Sequence, residues 1–326
     1  MRSGLIILTL LSLVFSIGAL PAQAKDTVDA ASILKSKNIT DTQIQELNYY
    51  SEPVANLIKN GQIPDDKIPG LVSSLISNKN KKAVDLRTDI ENSPVPIKKS
   101  TGEVSVAYTD ACPLWDVKSN TGFYQATGFL TLPTSVIVTN YYNPNTGKYE
   151  QKDVPYLMWG AVATSGADMG IFYDNRVHAW RAFCHCNPLP NGWASSPVYF
   201  TSNPYFIFTV LDNKLDLIII KQSGWTQIDH FVVNVPGCGF NKAGTGVKIL
   251  RQNSIAQHGT VNLIDGAQFL NAIWYNVYLY KTGLTTKWTP TYTSFAGYEC
   301  TPAAKAKITF ASAFQWYQDS TTIKLK

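Results

Sequence analysis

The stretch from Tyr205 to Gln222, YFIFTVLDNKLDLIIIKQ, leaves the chain little choice of local structure. Two arms rich in β-branched and aromatic residues flank Asp212-Asn213, a pair suited to a tight turn, so the segment folds back on itself as a β-hairpin. Such a hairpin needs further strands to cover its apolar faces. From about Glu103 onward ATGFLTLP, PYLMWGAVAT, HFVVNVPG, FLNAIWYNVYLY and KITFASAFQWYQD follow one another, bounded by Asn, Gly, Pro or Asp and lacking helical spacing. About a dozen such strands with no helices between them predict a mainly β fold, an antiparallel two-sheet jelly-roll sandwich over residues 101–326.

The chain before it reads differently. Residues 25–100 carry helical signals: Thr40 or Asp41 can cap a helix with Ile44, Leu47, Val54, Leu57 and Ile58 at helical spacing, which Pro53 divides or kinks. In IPDDKIPGLVSSLISN a further helix starts near Pro69 and presents Leu71, Val72, Leu75 and Ile76 on one face. The lysine-rich NKNKK and the proline-bearing SPVPIKKSTG form a linker. So small a helical region makes no strong core alone, and a pro-segment, a spacer and a docking module all fit it.

Residues 1–24 read as a signal peptide: a positive start at Arg2, an apolar run from Leu5 to Leu20, and Ala22-Gln23-Ala24 for cleavage after Ala24. The apolar run is short for a membrane span and has no charged stop-transfer flank, so a secreted protein with no stable span is expected. A hydrophobic content of 45% against 16% charged residues argues against disorder. The net charge of +5 comes from scattered lysines without interleaved aromatics, which argues against nucleic acid and leaves weak attraction to an anionic cell wall.

In order along the chain, GFYQATGFLTLP, PYLMWGAVAT, ADMGIFYDNRVHAW, the hairpin, NSIAQ and WYNVYLY resemble secreted bacterial proteins of the YrpD type. More distantly, the strand order resembles the concanavalin A-like jelly roll of lectins and glucanases. The resemblance covers most of the second region and none of the first. It implies a curved sandwich whose concave face meets carbohydrate, on a fold that also hosts glycosidases and peptidases.

GADMGIFYDNRVHAWRAFCHCNP, residues 166–188, looks at first like a reaction centre, with Cys184, His185 and Cys186 side by side after Asp168 and Asp174. Reading Asp168–Tyr173 and Val177–Cys186 as paired strands separates them. His178, Trp180, Ala182, Cys184 and Cys186 take one face, while Arg181, Phe183 and His185 take the other. Asp174-Asn175 is turn chemistry, whereas Asp168 fits a strand end and ligand hydrogen bonding equally. Cysteines in an exported protein are joined more often than metallated, and no CxxC pair, HExxH or calcium loop occurs, so no metal is expected. The five cysteines, Cys112, Cys184, Cys186, Cys238 and Cys300, are odd in number, so one at least stays single or pairs between chains. A direct Cys184–Cys186 bridge along one strand is strained, and each has Cys112, Cys238 and Cys300 as alternatives.

Catalytic signatures are absent from the spacing. There is no E-x-D-x-x-E strand, no G-x-S-x-G elbow and no local pattern around the four histidines. A peptidase of the glutamic type, as the resemblance would allow, needs a Gln and a Glu; Gln125 offers the first, and no strand offers the second. Eight tryptophans and 17 tyrosines instead suit stacking on sugar faces. The expected ligand-binding residues are Asp168, Tyr173, Trp180, Arg181, Trp159, Trp193 and Gln125. The reading is a secreted, non-catalytic binding protein for polysaccharide or a cell-surface glycan that needs no cofactor. A hydrolase with acids gathered from distant strands, and a structural or matrix protein, are the alternatives.

Overall fold

The computed structural model describes residues 29–78, 80–86, 112–144, 147–186, 192–257, 261–312 and 314–326; the signal-peptide reading and most of the linker lie outside them. Helices come first: α1 (Ala30–Lys35), α2 (Asp41–Leu47), α3 (Ser51–Lys59) and α4 (Ile68–Asn78). Thr40 caps α2 in a reciprocal box with Gln43, as its position three residues before a Gln favours. The break expected at Pro53 falls earlier, at Asn48, whose φ of 53° ends α2. Pro53 sits in the first turn of α3, where a missing N–H costs nothing.

After β1 (Val84–Asp85) come β2 (Leu114–Ser119), β3 (Gln125–Thr131), β4 (Ser135–Ile137) and a small hairpin of β5 (Asn140–Asn143) and β6 (Lys148–Gln151). A meander of β7 (Asp153–Val162), β8 (Gly166–Asp174), β9 (Ala179–Cys186) and β10 (Gly192–Phe200) follows. A second meander contains β11 (Pro204–Leu211), β12 (Lys214–Lys221) and β13 (Gln227–Asn234). The chain continues through β14 (Lys248–Gln257), β15 (Gln268–Lys281), β16 (Leu284–Lys287) and β17 (Thr293–Tyr298). A short α5 (Pro302–Lys305), β18 (Ile308–Phe310) and β19 (Asp319–Lys324) complete it.

These strands form two large sheets facing each other. One has seven strands in the order β10-β9-β8-β7-β14-β2-β17; the other has ten, with β1-β13-β12-β11-β3-β15-β19-β18 as its main path. All pairings but β1 with β13 are antiparallel, so the expected two-sheet sandwich with a small helical leader is the fold. Between the sheets Trp159 stands 5.1 Å from Trp274 and stacks at 6.4 Å on Trp288. Gly128 makes room for it, since a Cβ there would lie 3.3 Å from the Trp159 ring.

The ten-stranded sheet is buried on both faces. Its outer side, through Phe129, Tyr205, Ile207, Ile218, Ile220 and Trp225, shares a second core with Leu47, Val54, Leu57, Leu71 and Leu75 of the helices. That explains the nearly unbroken apolar arms of the β11–β12 hairpin, which alternate poorly because neither face meets water. The helical region thus completes its core on the sheet.

Candidate functional site

The β8–β9 hairpin separates its reactive-looking residues as parity requires. Trp180, Ala182, Cys184 and Cys186 join the inter-sheet core, while Phe183 belongs to an aromatic cluster on the outer face of the seven-stranded sheet. The returning strand begins at Ala179, two residues later than expected, because His178 adopts a φ of 51° within the turn. Asp174 is turn chemistry: its carboxylate accepts from Arg176 N at 3.1 Å and Arg176 Nε at 2.9 Å. Burial works against its charge, but those bonds and the Arg176 guanidinium hold the carboxyl below the usual value. Among the described residues no group of three or more His, Cys, Asp or Glu is placed to hold a metal ion.

The remaining expected ligand residues are spread over three environments. Trp159, Tyr173 and Trp180 line the core between the sheets, so their rings have no free face for a sugar. Trp193 stacks on Phe183 at 5.0 Å within the outer aromatic cluster. Arg181 is buried, its guanidinium 3.3 Å from Asp174 and 4.8 Å above the Phe172 ring. Gln125 lies on the other sheet, donating to Thr209 Oγ1 at 2.9 Å and to the Tyr49 carbonyl at 3.0 Å. Of the seven, Asp168 alone stands partly exposed on the outer face of the seven-stranded sheet.

On that face Asp168 belongs to a polar row that spacing did not reveal. The strand register runs Phe295, Lys118, Leu250, Gly160, Asp168, His185 and Trp193 straight across β17, β2, β14, β7, β8, β9 and β10. Three strand intervals separate Lys118 from Asp168, roughly 14 Å at the backbone. Beside Lys118 on β2 is Asp116, and Glu299 follows β17 at the same edge. The Lys118 ammonium donates to Glu299 and sits 3.0 Å from Asp116 Oδ2. Its long stem also carries it over the Phe295 ring at 5.1 Å.

The electrostatics of the row are unusual for an outer sheet face. Burial, opposed by the Lys118 ammonium and reinforced by Glu299, pushes the Asp116 carboxyl up to about 7. Burial pushes Asp168 up to about 7 as well, with Lys118 opposing and Glu299 reinforcing. His185 is driven the other way, burial holding its ring below the ordinary histidine value. One raised carboxyl, Asp116, thus lies against the Lys118 cation, and a second, Asp168, stands three strands away on the same face. Such an arrangement can bind hydroxyls or exchange a proton.

Gly160 keeps the space beside Asp168 open. A Cβ there would lie 2.9 Å from the Ala167 carbonyl and 3.2 Å from Asp168 Oδ1. Gly160→Ala is expected to cost about 1–3 kcal/mol of stability by overpacking and to displace the Asp168 carboxylate. Urea unfolding checks the first effect, and the pH titration of Asp168 followed by carbon NMR checks the second.

No protein-family model matches this chain, and a search of curated proteins finds no match either.

Proposed function

We propose that the protein is an exported, non-catalytic binding protein that recognises carbohydrate or cell-wall polymer along the polar row of the seven-stranded sheet. The observation that carries this reading is the row itself. Lys118, with Asp116 and Glu299 against it, and Asp168 three strands away share one outer face, where their charges do nothing for the inter-sheet core. The Glu299 and Asp168 carboxylates accept bonds from sugar hydroxyls, the Lys118 ammonium donates to ring and hydroxyl oxygens, and Phe295 at the edge offers an exposed ring. Asp116 is buried beneath Lys118 and holds the ammonium in place. The resemblance to the concanavalin-type jelly roll supports the same ligand class.

A panel of soluble glycans and cell-wall polysaccharides tests it with the purified protein lacking residues 1–24. Asp168→Asn and Glu299→Gln are each expected to weaken the best ligand roughly ten- to a hundredfold, the worth of a hydrogen bond to a charged group. Ionised carboxylates accept more strongly, so affinity for a neutral glycan should rise as pH passes upward through about 7 and be flat in the Asp168→Asn variant. Unchanged affinity in both variants would overturn the assignment of the site.

The Asp168 carboxyl, raised to about 7, favours one second reading, a hydrolase in which Asp168 donates the proton to a leaving group. Its pH dependence has the opposite sign. Product release from the same polymers would be high below about 7 and fall above it as the acid loses its proton.

A further inference from the structure

We propose that Cys186 and Cys238 are joined by a disulfide that links the two sheets covalently. Cys186 is the last residue of β9 in the seven-stranded sheet, and Cys238 lies in the segment just after β13 of the ten-stranded sheet. Both are fully buried, and their sulfurs stand 3.1 Å apart, closer than unbonded sulfur atoms pack.

The backbone around Cys238 is held in place for this approach. Its carbonyl accepts from Thr164 N at 3.0 Å and Ser165 N at 3.3 Å, in the turn between β7 and β8. Gly239, at φ 76°, permits that contact, because a Cβ there would lie 2.5 Å from Thr164 Oγ1. The segment after β13 is thereby tied to the β7–β8 turn, and β8 pairs Ala167 directly with Cys186. Cys184 shares the core face with Cys186, but two residues along one strand have Cα atoms roughly 6.6 Å apart, near the limit a bridge tolerates. Across the sheets, Cys238 meets Cys186 without that constraint. Before the bond forms, the contact with Cys186, then burial, push the Cys238 thiol up in the closed core, so the thiolate needed for exchange is scarce there. The bond therefore forms while the chain is still open, and burial of both sulfurs shields it from external thiolates afterwards.

The chemistry balances as thiol–disulfide exchange. One cysteine thiolate attacks an external disulfide, either glutathione disulfide or the oxidised dithiol of an oxidoreductase, and releases one thiol. The second cysteine attacks the mixed disulfide and releases the other thiol. Two electrons pass to the external disulfide, which leaves as two thiols carrying the two protons. None of this depends on what the outer sheet face binds.

The test uses the chain without residues 1–24, folded with reduced and oxidised glutathione, alkylated in denaturant without reduction, digested and mapped. A linked peptide pair containing Cys186 and Cys238, with Cys184 alkylated, is the expected result. Alkylation of both Cys186 and Cys238, or a bridge from either to another cysteine, would overturn the proposal. Reduction in mild denaturant should lower the melting temperature by several degrees in the wild type and in Cys184→Ala, but not in Cys238→Ala. A reductant-sensitive shift that persists in Cys238→Ala would also overturn it, and Cys184→Ala supplies the answer should Cys238→Ala fail to fold.

Discussion

Asp319→Ala is expected to destabilise the fold by about 3–5 kcal/mol, the cost of leaving a buried charge without its partner. Asp319 on β19 receives a hydrogen bond from Arg251 Nη1 on β14, across the space between the two sheets, and both side chains are almost fully buried. The pair is embedded in a network. Thr321 donates to Asp319 at 2.8 Å, Asn253 donates to Thr321 at 2.9 Å, and Trp274 Nε1 donates to Asn253 at 2.8 Å. Arg251 also reaches the Trp316 carbonyl at 3.2 Å and lies over the Trp274 ring. Removing Asp319 strands the guanidinium in an apolar interior, whereas Arg251→Met with Asp319→Leu removes both charges and keeps volume. The double variant should lose far less than the sum of the singles, by a coupling of several kcal/mol in urea unfolding. Additive losses would mean that the two side chains act separately.

This network also shows what the sequence could and could not disclose. In the RQNSIAQ stretch β14 runs within the seven-stranded sheet, and its Arg251, Asn253 and Ser254 are buried although polar. Its polar residues find partners on a strand near the far end of the chain, and spacing carries no information about pairs so distant. By contrast, the hairpin at Asp212-Asn213 was legible because a turn and its two arms are local, and Leu211 pairs with Lys214 across it. The capping of α2 by Thr40 was legible for the same reason.

The candidate site was half legible. Alternation placed His185 on the face opposite the cysteines, and the strand register sets Asp168 beside it. Asp116 and Lys118 went unread although LWDVKS carries the signal: two charged residues at period two, interleaved with core-facing Trp115 and Val117. Glu299 meets Lys118 only because β17 pairs with β2, a contact 181 residues apart in sequence. The abundance of aromatics pointed to stacking platforms, but five of the eight tryptophans, Trp115, Trp159, Trp180, Trp274 and Trp288, are buried in the core between the two large sheets. Composition counts rings without saying which way they face.

Asp216→Ala is expected to loosen the helical region from the sheet at a cost of about 3 kcal/mol, the sum of several buried donors left without an acceptor. Asp216 projects from β12 on the helix-covered face and accepts from Tyr50 at 2.7 Å and Tyr49 at 2.9 Å, with His230 Nε2 3.1 Å away. These two tyrosines lie between α2 and α3, at the bend that brings both helices down onto the sheet. The apolar contacts around Leu57, Leu71 and Ile218 supply most of the attachment, but they are non-directional, and the carboxylate fixes where the helices sit. Tyr50→Phe removes one of its bonds and should cost about 1 kcal/mol. Limited proteolysis reads both effects: Asp216→Ala should expose cleavage sites within residues 41–59 well before the sandwich is cut, with Tyr50→Phe intermediate. If the variant instead resists cleavage like the wild type while losing stability as a whole, then helices and sheet open together as one unit, and Asp216 holds no separable joint.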